Sequence, residues 1–539
     1  MSQNVQLLEK LEKLTEIGIA LSSERNTQKL LELILLGAKE LTHADGGTLY
    51  SVKEDNSIKM EIIRTDSLNY AMGGSTGNEI PFPAIPLHDE DGKPNLHMVV
   101  TNAVILDSTI NIPDAYHAEG FDFSGTKKFD QQTGYHSQSF LTVPLKDHQN
   151  DIIGVLQLLN AIDPDSGNVI PFSKAAQRLT ESLASQAAIA LTNRHLIDDL
   201  KALLESLIQL IATAIDEKSP YTGGHCERVP VLTMMLAEAA NNKQSGVFTN
   251  FTLDEDDLYE LRMAAWLHDC GKITTPEAVV DKATKLQTIF DRIELIEARF
   301  ELLKRDAMMD ALEARLANTE AGDGALNGSI EAELNKKLIK IEDDLNFLRH
   351  ANVGGEFMSE GDRDRVLAIG TQIIHIDGKP HKLLTENEVY NLTIDKGTLT
   401  PEEREIINNH IVVTIEMLNT LPFPKHLKNV PEYAGGHHEK MDGTGYPKGL
   451  TGDQMSLQAR IMAIADLFEA LTAKDRPYKE GKKLSEALKI LGFMCQDHHI
   501  DPDLFQLFVE ERIYLKYAKE YLDPGQIDPI DHAKIPGYQ

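Results

Sequence analysis

Between Ser173 and Lys218 the chain contains neither glycine nor proline. Leu179, Leu183, Ala187, Ile189, Leu191, Leu196, Leu200, Leu203, Leu207 and Leu210 mark an apolar stripe along that stretch. This pattern predicts one helix, too long to belong to a single globular core. It reads as a connecting helix that pairs in a dimer. The alternative is two helices, each packed on its own domain.

Different patterns lie on the two sides of this stretch. Residues about 5 to 40 repeat apolar side chains at helical spacing, including Leu7, Leu11, Leu14, Ile17, Leu21, Leu31 and Ile34. Short strand-like runs follow at Thr48–Val52 and Met60–Ile63. Ser139–Leu145 and Ile152–Leu158 flank the polar turn Asp147-His148-Gln149-Asn150-Asp151 and read as a hairpin. The expectation is an α+β sensor-like domain over 1–175, a connecting helix over 176–217 and a mainly helical domain over 218–539. A charged helical stretch near 285 to 350, broken at Glu320-Ala321-Gly322-Asp323-Gly324, predicts an antiparallel helical hairpin. The whole chain is thus expected to be multidomain, and 539 residues suffice for two to four domains.

Charge narrows the partners. The formal net charge of −31 repels nucleic-acid backbones and anionic membranes, so no nucleic acid polymer is expected. A small anionic ligand stays compatible, because bound cations reverse the local sign inside a pocket. No apolar run is long enough for a membrane span. The N-terminus moves straight into a charged helical pattern without signal-peptide features. Three cysteines, Cys226, Cys270 and Cys495, make no disulfide framework. A cytoplasmic location is the expectation.

The C-terminal half repeats histidine and aspartate at informative places. His225 follows a Gly-rich turn, and His268-Asp269 ends the apolar run Met263-Ala264-Ala265-Trp266-Leu267. His410 lies in a helix opened by the capping box Thr400-Pro401-Glu402-Glu403. His437-His438 precede another Gly-rich turn, and Asp466 interrupts an apolar helical stretch. A lone histidine on an apolar face is usually a satisfied core residue. A lone carboxylate in an apolar helix needs a partner, because burying it unpaired is costly. Several such places in one helical domain point instead to divalent cations, which imidazole and carboxylate bind together. Adjacent residues on a helix diverge by about 100° and can serve neighbouring ions. Lys272, one turn past His268, is placed to contact a phosphate or assist proton transfer.

His268-Asp269-Cys270-Gly271-Lys272 resembles the signature of the HD phosphohydrolase superfamily. With His437-His438-Glu439, Asp442-Gly443 and Gly445-Tyr446-Pro447 it resembles the HD-GYP subfamily. The resemblance covers about 205–282 and 396–515. It implies an all-α helical bundle and metal-dependent hydrolysis of cyclic di-GMP to pGpG or GMP. The implied metal ligands are His225, His268, Asp269, His410, His437, His438 and Asp466, with Asp269 bridging. Lys272 and Asp269 are the implied catalytic residues. Lys272, Arg476, Lys479 and Tyr446 are the implied substrate contacts. Iron or manganese are the implied ions. Two are expected rather than three, because Tyr221 stands where a third ion's glutamate would be placed. Cys226 and Cys270 read as core residues. The catalytic pattern is interrupted by an insertion over about 283–395, which reads as a solvated arm; covering the pocket or mediating assembly are the alternatives.

The N-terminal half resembles GAF sensor domains. The residues that carry this are Asn111-Ile112-Pro113-Asp114-Ala115-Tyr116, Lys128-Phe129-Asp130 and Ser139–Leu145. Lys127 replaces the asparagine of the cyclic-nucleotide-binding element, so a cyclic nucleotide or another small ligand both remain open. The expected whole is a homodimeric cyclic di-GMP phosphodiesterase regulated by its GAF domain. The alternatives are a catalytically weak cyclic di-GMP sensor, or a phosphodiesterase for another cyclic dinucleotide such as cyclic GMP-AMP.

Overall fold

A computed structural model describes residues 3–218, 224–243, 245–320, 327–355, 357–474 and 481–538. The chain divides into two compact units, Met1–Leu203 and Leu204–Gln539.

The first unit opens with α1 (Gln3–Ser23) and α2 (Thr27–Thr42). The helical pattern of residues 5 to 40 is therefore split. Asn26 makes the break, since its side chain caps α2 by accepting the Lys29 N–H at 3.0 Å. Strands β1 (Ala44–Val52), β2 (Ser57–Thr65), β3 (Tyr70–Gly73) and β4 (Ile85–Pro86) follow. After α3 (Val99–Ile105), β5 (Ile110–Ile112) and α4 (Ser124–Thr133) come β6 (Phe140–Lys146), β7 (Ile152–Ile162) and β8 (Val169–Ile170). One antiparallel sheet results, in the order β3-β2-β1-β7-β6-β5, with β4 on β2 and β8 on β7. The expected β6–β7 hairpin is present. Its turn is held by the Asp147 carboxylate, which accepts the Gln149 and Asp151 N–H groups at 2.8 and 2.9 Å. Side chains alternate across the sheet. Leu49, Leu141, Leu156 and Leu158 pack with α1 and α2, while Tyr50, Ile58 and Val155 pack on the other face.

Helix α5 runs unbroken from Lys174 to Lys218. Leu179, Leu183 and Ala187 join the first unit's core. Ile208, Ala212 and Ile215 join the core of the second.

The second unit contains α6 (His225–Asn242), α7 (Glu255–Leu267) and the short α8 (Glu277–Val280). Beyond the insertion lie α13 (Pro401–Asn408), α14 (His410–Asn419), α15 (Val430–Gly436) and α16 (Leu457–Thr472). Helices α17 (Leu484–Gln496), α18 (Pro502–Glu510) and α19 (Ile513–Tyr521) complete it. Phe468, Phe505, Phe508 and Tyr517 are fully enclosed in the common core. The capping box at Thr400 forms, with the Thr400 hydroxyl accepting the Glu403 N–H and the Glu403 carboxylate accepting the Thr400 N–H. The helix it opens is shorter than the sequence pattern suggests. It stops at Asn408, and His410 begins a separate helix.

The insertion carries α9 (Ile293–Glu320) and α10 (Asn327–Val353). Ion pairs Asp310–Lys337, Lys304–Glu342 and Glu297–Arg349 show that they run antiparallel. Two features depart from a solvated arm. The segment continues into α11 (Glu360–Gly370), a two-stranded hairpin β9 (Ile373–Ile376) and β10 (Lys379–Lys382), and α12 (Glu386–Leu392). It also has its own core, in which Phe300, Leu348, Val366, Leu383 and Leu392 are enclosed. The cause is the periodicity of α9 and α10, whose apolar stripes face each other near the base of the hairpin.

Candidate metal centre

Four helix ends and one helix middle supply the site. His225 is the first residue of α6, preceded by Gly224 at φ 77°, a left-handed conformation that glycine adopts without strain. His268 closes α7, and Asp269 leads into the short 3-10 turn Cys270–Thr274. His410 opens α14, and His437 closes α15, with His438 beside it. Asp466 lies within α16, whose Ile464, Ala465 and Phe468 are buried in the core. The turn after Asp269 sits against the start of α14. A Cβ on Gly271 would stand 2.0 Å from the His410 carbonyl oxygen.

The seven side chains converge into two groups, Asp269-His410-His437-His438 and His225-His268-Asp466. Asp269 faces both. Its Oδ2 lies 3.3 Å from Nε2 of His225 and of His268, and its Oδ1 lies 3.2 Å from Nε2 of His410. Asp466 Oδ1 is 3.3 Å from His225 Nε2. Two donors about 2.1 Å from one cation at tetrahedral or octahedral angles stand roughly 3.0–3.4 Å apart, so these separations suit shared ligation. Among the described residues, His268 Nε2 and His437 Nε2 are buried and have no hydrogen-bond partner. Leaving such atoms unsatisfied is expensive, and a cation satisfies both. The donor set therefore fits divalent metal ions.

The imidazoles are oriented from behind. Nδ1 of His268, His410 and His437 meets the carbonyl oxygen three residues earlier, at Ala265 (2.7 Å), Ile407 (2.5 Å) and Ala434 (2.6 Å). Nδ1 then carries the proton in the neutral ring and Nε2 is left as the donor. His225 has a carboxylate in that role. Its Nδ1 meets Glu469, one turn past Asp466 on α16, and Arg228 Nη2 holds the other Glu469 oxygen at 2.6 Å. Sequence reading missed Glu469 and Arg228. The signal was present as a second acidic residue at i+3 in the apolar run of α16.

Electrostatics divide the histidines. Burial opposes charge on His268, yet Asp269 and Asp466 overcome it and raise its pKa to about 9. His225 is likewise raised, against its burial, chiefly by Glu469. Burial and the neighbouring His268 lower His437 to about 4. His438 is lowered well below the ordinary value by burial and by His437. Burial opposes the charge on Asp269, but Lys272 and then His268 hold its pKa well below the carboxylate range. His437 and His438 are thus ready donors at neutral pH, whereas His268 and His225 must lose a proton to ligate. Metal binding at pH 7 is expected to release about two protons per chain, and affinity should rise from pH 7 towards 9. Calorimetry in two buffers of different ionisation enthalpy measures this. Equal heats in both would contradict it.

Lys272 places Nζ 2.5 Å from Asp269 Oδ2 and lies mostly buried. Tyr446 stacks on the His438 ring, with centroids 4.9 Å apart. Its loop is pinned by Glu439, a buried carboxylate that accepts the Lys448 and Leu450 N–H groups at 2.7 and 2.9 Å. Cys226 and Cys270 are buried free thiols, and neither belongs to the two groups. Burial pushes the Cys270 thiol up to about 11. Arg476, Lys479 and Tyr221 lie outside the described residues.

Three family models match the chain: a GAF domain over residues 26–191, an HD domain over 222–348, and a further HD domain model over 385–504. The chain is 26% identical over 311 residues to a 3'3'-cGAMP-specific phosphodiesterase of Vibrio cholerae, covering 57% of this chain and 39% of that protein. It is 38% identical over 139 residues to a probable cyclic di-GMP phosphodiesterase of the same organism, covering 25% of this chain and 31% of that one. It is 46% identical over 95 residues to a cyclic di-GMP phosphodiesterase of Pseudomonas aeruginosa, covering 17% of this chain and 22% of that one. The chain thus spans less than half the length of each of these relatives. Among the described residues no helix is long and apolar enough to cross a membrane.

Proposed function

We propose that this chain, which joins a GAF domain to an HD domain of the HD-GYP type, is a metal-dependent phosphodiesterase that hydrolyses cyclic di-GMP to pGpG or GMP. The observation that carries this reading is the convergence of seven imidazole and carboxylate donors into two groups that share Asp269. His225, His268, Asp269, His410, His437, His438 and Asp466 would hold two divalent ions, with iron or manganese suited to the mixed donor set. Such ions supply a water of lowered pKa and neutralise charge on the phosphodiester.

The chain's own groups do the rest. Lys272 and Asp269 act together: the ammonium is held beside the carboxylate and would offer its positive charge to a phosphate oxygen. Tyr446, stacked on His438, closes the rim with a neutral phenol, its pKa raised by burial and then by Asp466 to about 12. Arg476 and Lys479 are proposed as further contacts to substrate.

The test is turnover by purified protein loaded with Mn²⁺ or Fe²⁺. The expected products are pGpG or GMP. Absence of both at full metal content would refute the enzymatic reading and leave the sensor. A second substrate is favoured by the relative specific for 3'3'-cGAMP, which aligns over the longest stretch of the three relatives described. Cyclic di-GMP and 3'3'-cGAMP therefore belong in one panel, where the larger kcat/KM identifies the substrate.

A homodimer is proposed through α5. Leu196, Leu200, Leu203, Leu207 and Leu210 follow steps of four and three, and each is about half exposed or more, up to 66% at Leu203 and Leu210. That alternation is the seam of a two-stranded coiled coil, and a second copy of the same helix fits it. Replacing Leu200 and Leu207 together by Glu is expected to convert dimer to monomer in light scattering, because four like charges cannot share a dry seam. An unchanged mass would refute the seam. The same helix is proposed to carry GAF regulation, with a small ligand in the GAF domain as its input.

A further inference from the structure

The last turn of α5 holds two pieces of backbone beside the metal centre. The Asp216 side chain is buried and accepts the N–H of Cys226, the residue after His225, at 3.1 Å. Lys218 donates its ammonium to the carbonyl oxygens of Lys272 (3.3 Å), Thr275 (2.8 Å) and Ile273. An ammonium has three N–H donors and no acceptor, so these carbonyls use all of them. They lie at the end of the 3-10 turn Cys270–Thr274 and on its cap Thr275, whose own N–H donates to the Lys272 carbonyl at 3.0 Å, and a lysine is a suitable cap for such a carbonyl-rich end. That turn starts at Asp269 and carries Lys272. Asp216, Lys218, His225, Cys226, Asp269 and Lys272 line one cavity. Ala212 and Ile215, on the same end of α5, are buried and fix it in the helical core.

We propose that Asp216 and Lys218 are positioning residues, through which the end of α5 sets the placement of His225 and of Lys272. Neither side chain belongs to the two donor groups. Each acts on the backbone next to a site residue, so a small displacement of the helix end changes the site without replacing any donor. Lys218 controls where the Lys272 side chain leaves the turn. Asp216 controls the first turn of α6 and therefore the direction of the His225 ring, whose other nitrogen Glu469 holds. The proposal rests on the metal-dependent function above, and its Asp216 arm, read by Mn²⁺ affinity, is separable from it.

The test uses the full chain with four substitutions. Asp216→Ala is expected to weaken Mn²⁺ binding, measured by calorimetry, about 10- to 100-fold, the usual effect of losing a partner behind a ligand. Asp216→Asn keeps an oxygen that accepts the Cys226 N–H and should bind Mn²⁺ as the parent does. Lys218→Met at saturating Mn²⁺ is expected to lower kcat about 10- to 100-fold. Lys218→Arg, which still donates to carbonyls, should recover most of that loss. Circular dichroism and the thermal midpoint establish folding for each. Folded Asp216→Ala with parental Mn²⁺ affinity overturns the role of Asp216. Folded Lys218→Met with parental kcat, or no recovery in Lys218→Arg, overturns that of Lys218. A lowered midpoint without change in either constant marks a purely structural role and overturns both. A parent that turns over no cyclic dinucleotide refutes the proposed function alone, while the Mn²⁺ affinities still decide the case of Asp216.

Discussion

Asp269→Ala is expected to remove metal from both groups together and to lower turnover by roughly 10³-fold or more, the effect of losing several kcal/mol of charge stabilisation. The size follows from how many partners one carboxylate serves. Its Oδ2 faces His225, His268 and Lys272, and its Oδ1 faces His410. Among the described residues no other acid pairs with all four; Asp466 pairs with His225 and His268. Removal also leaves the Lys272 ammonium without its carboxylate in a largely buried position, which adds repulsion against a cation. Asp269→Asn retains the shape but not the charge and should fall between the parent and the alanine variant. Metal analysis and turnover on the same preparation measure the effect. Retained activity at full metal loading would show that Asp269 does not bridge.

Gly271→Ala should be nearly as damaging, though it touches no donor. The added methyl would stand 2.0 Å from the His410 oxygen, 2.7 Å from the Thr414 nitrogen and 2.8 Å from the Thr414 hydroxyl. Two of those atoms are backbone, so no flexible side-chain end can move aside. The turn after Asp269 and the start of α14 must separate. That breaks the bond from the Gly271 N–H to the Thr414 hydroxyl and draws His410 away from Asp269. Overpacking of this kind costs about 1–3 kcal/mol, and a displacement near 1 Å at a reacting centre costs about 10²-fold in rate. The expected result is a lower thermal midpoint together with reduced turnover and weaker metal binding. A variant with parental stability and rate would mean that the two segments are not so closely apposed.

Much of this organisation was legible in the chain. A stretch without glycine or proline gives a long helix because nothing in it interrupts backbone hydrogen bonding. The β6–β7 hairpin follows from two apolar strand-like runs around a turn rich in Asp and Asn. The capping box at Thr400 forms because its two hydrogen bonds are local. Other features were not legible, because they depend on residues distant in sequence. His410 belongs to its own helix, since the chain breaks at Asn409 to bring the imidazole beside Asp269. The insertion packs around Phe300 and Leu348 with a β-hairpin that charged periodicity did not announce.

Which chemistry is available could be read from the residues alone: imidazoles and carboxylates in and beside helical stretches, with a lysine and a Gly-rich loop. Only the tertiary structure decided how they meet. Three histidines take their orientation from a carbonyl three residues back, a local bond set by the helix end, whereas His225 depends on Glu469 and Arg228. The hold of Asp216 and Lys218 on the two site segments is of the same distant kind. The physical reason is range. Hydrogen bonds within a turn can be read from neighbouring residues, but a carboxylate that reaches an imidazole from another helix appears only once the core has packed.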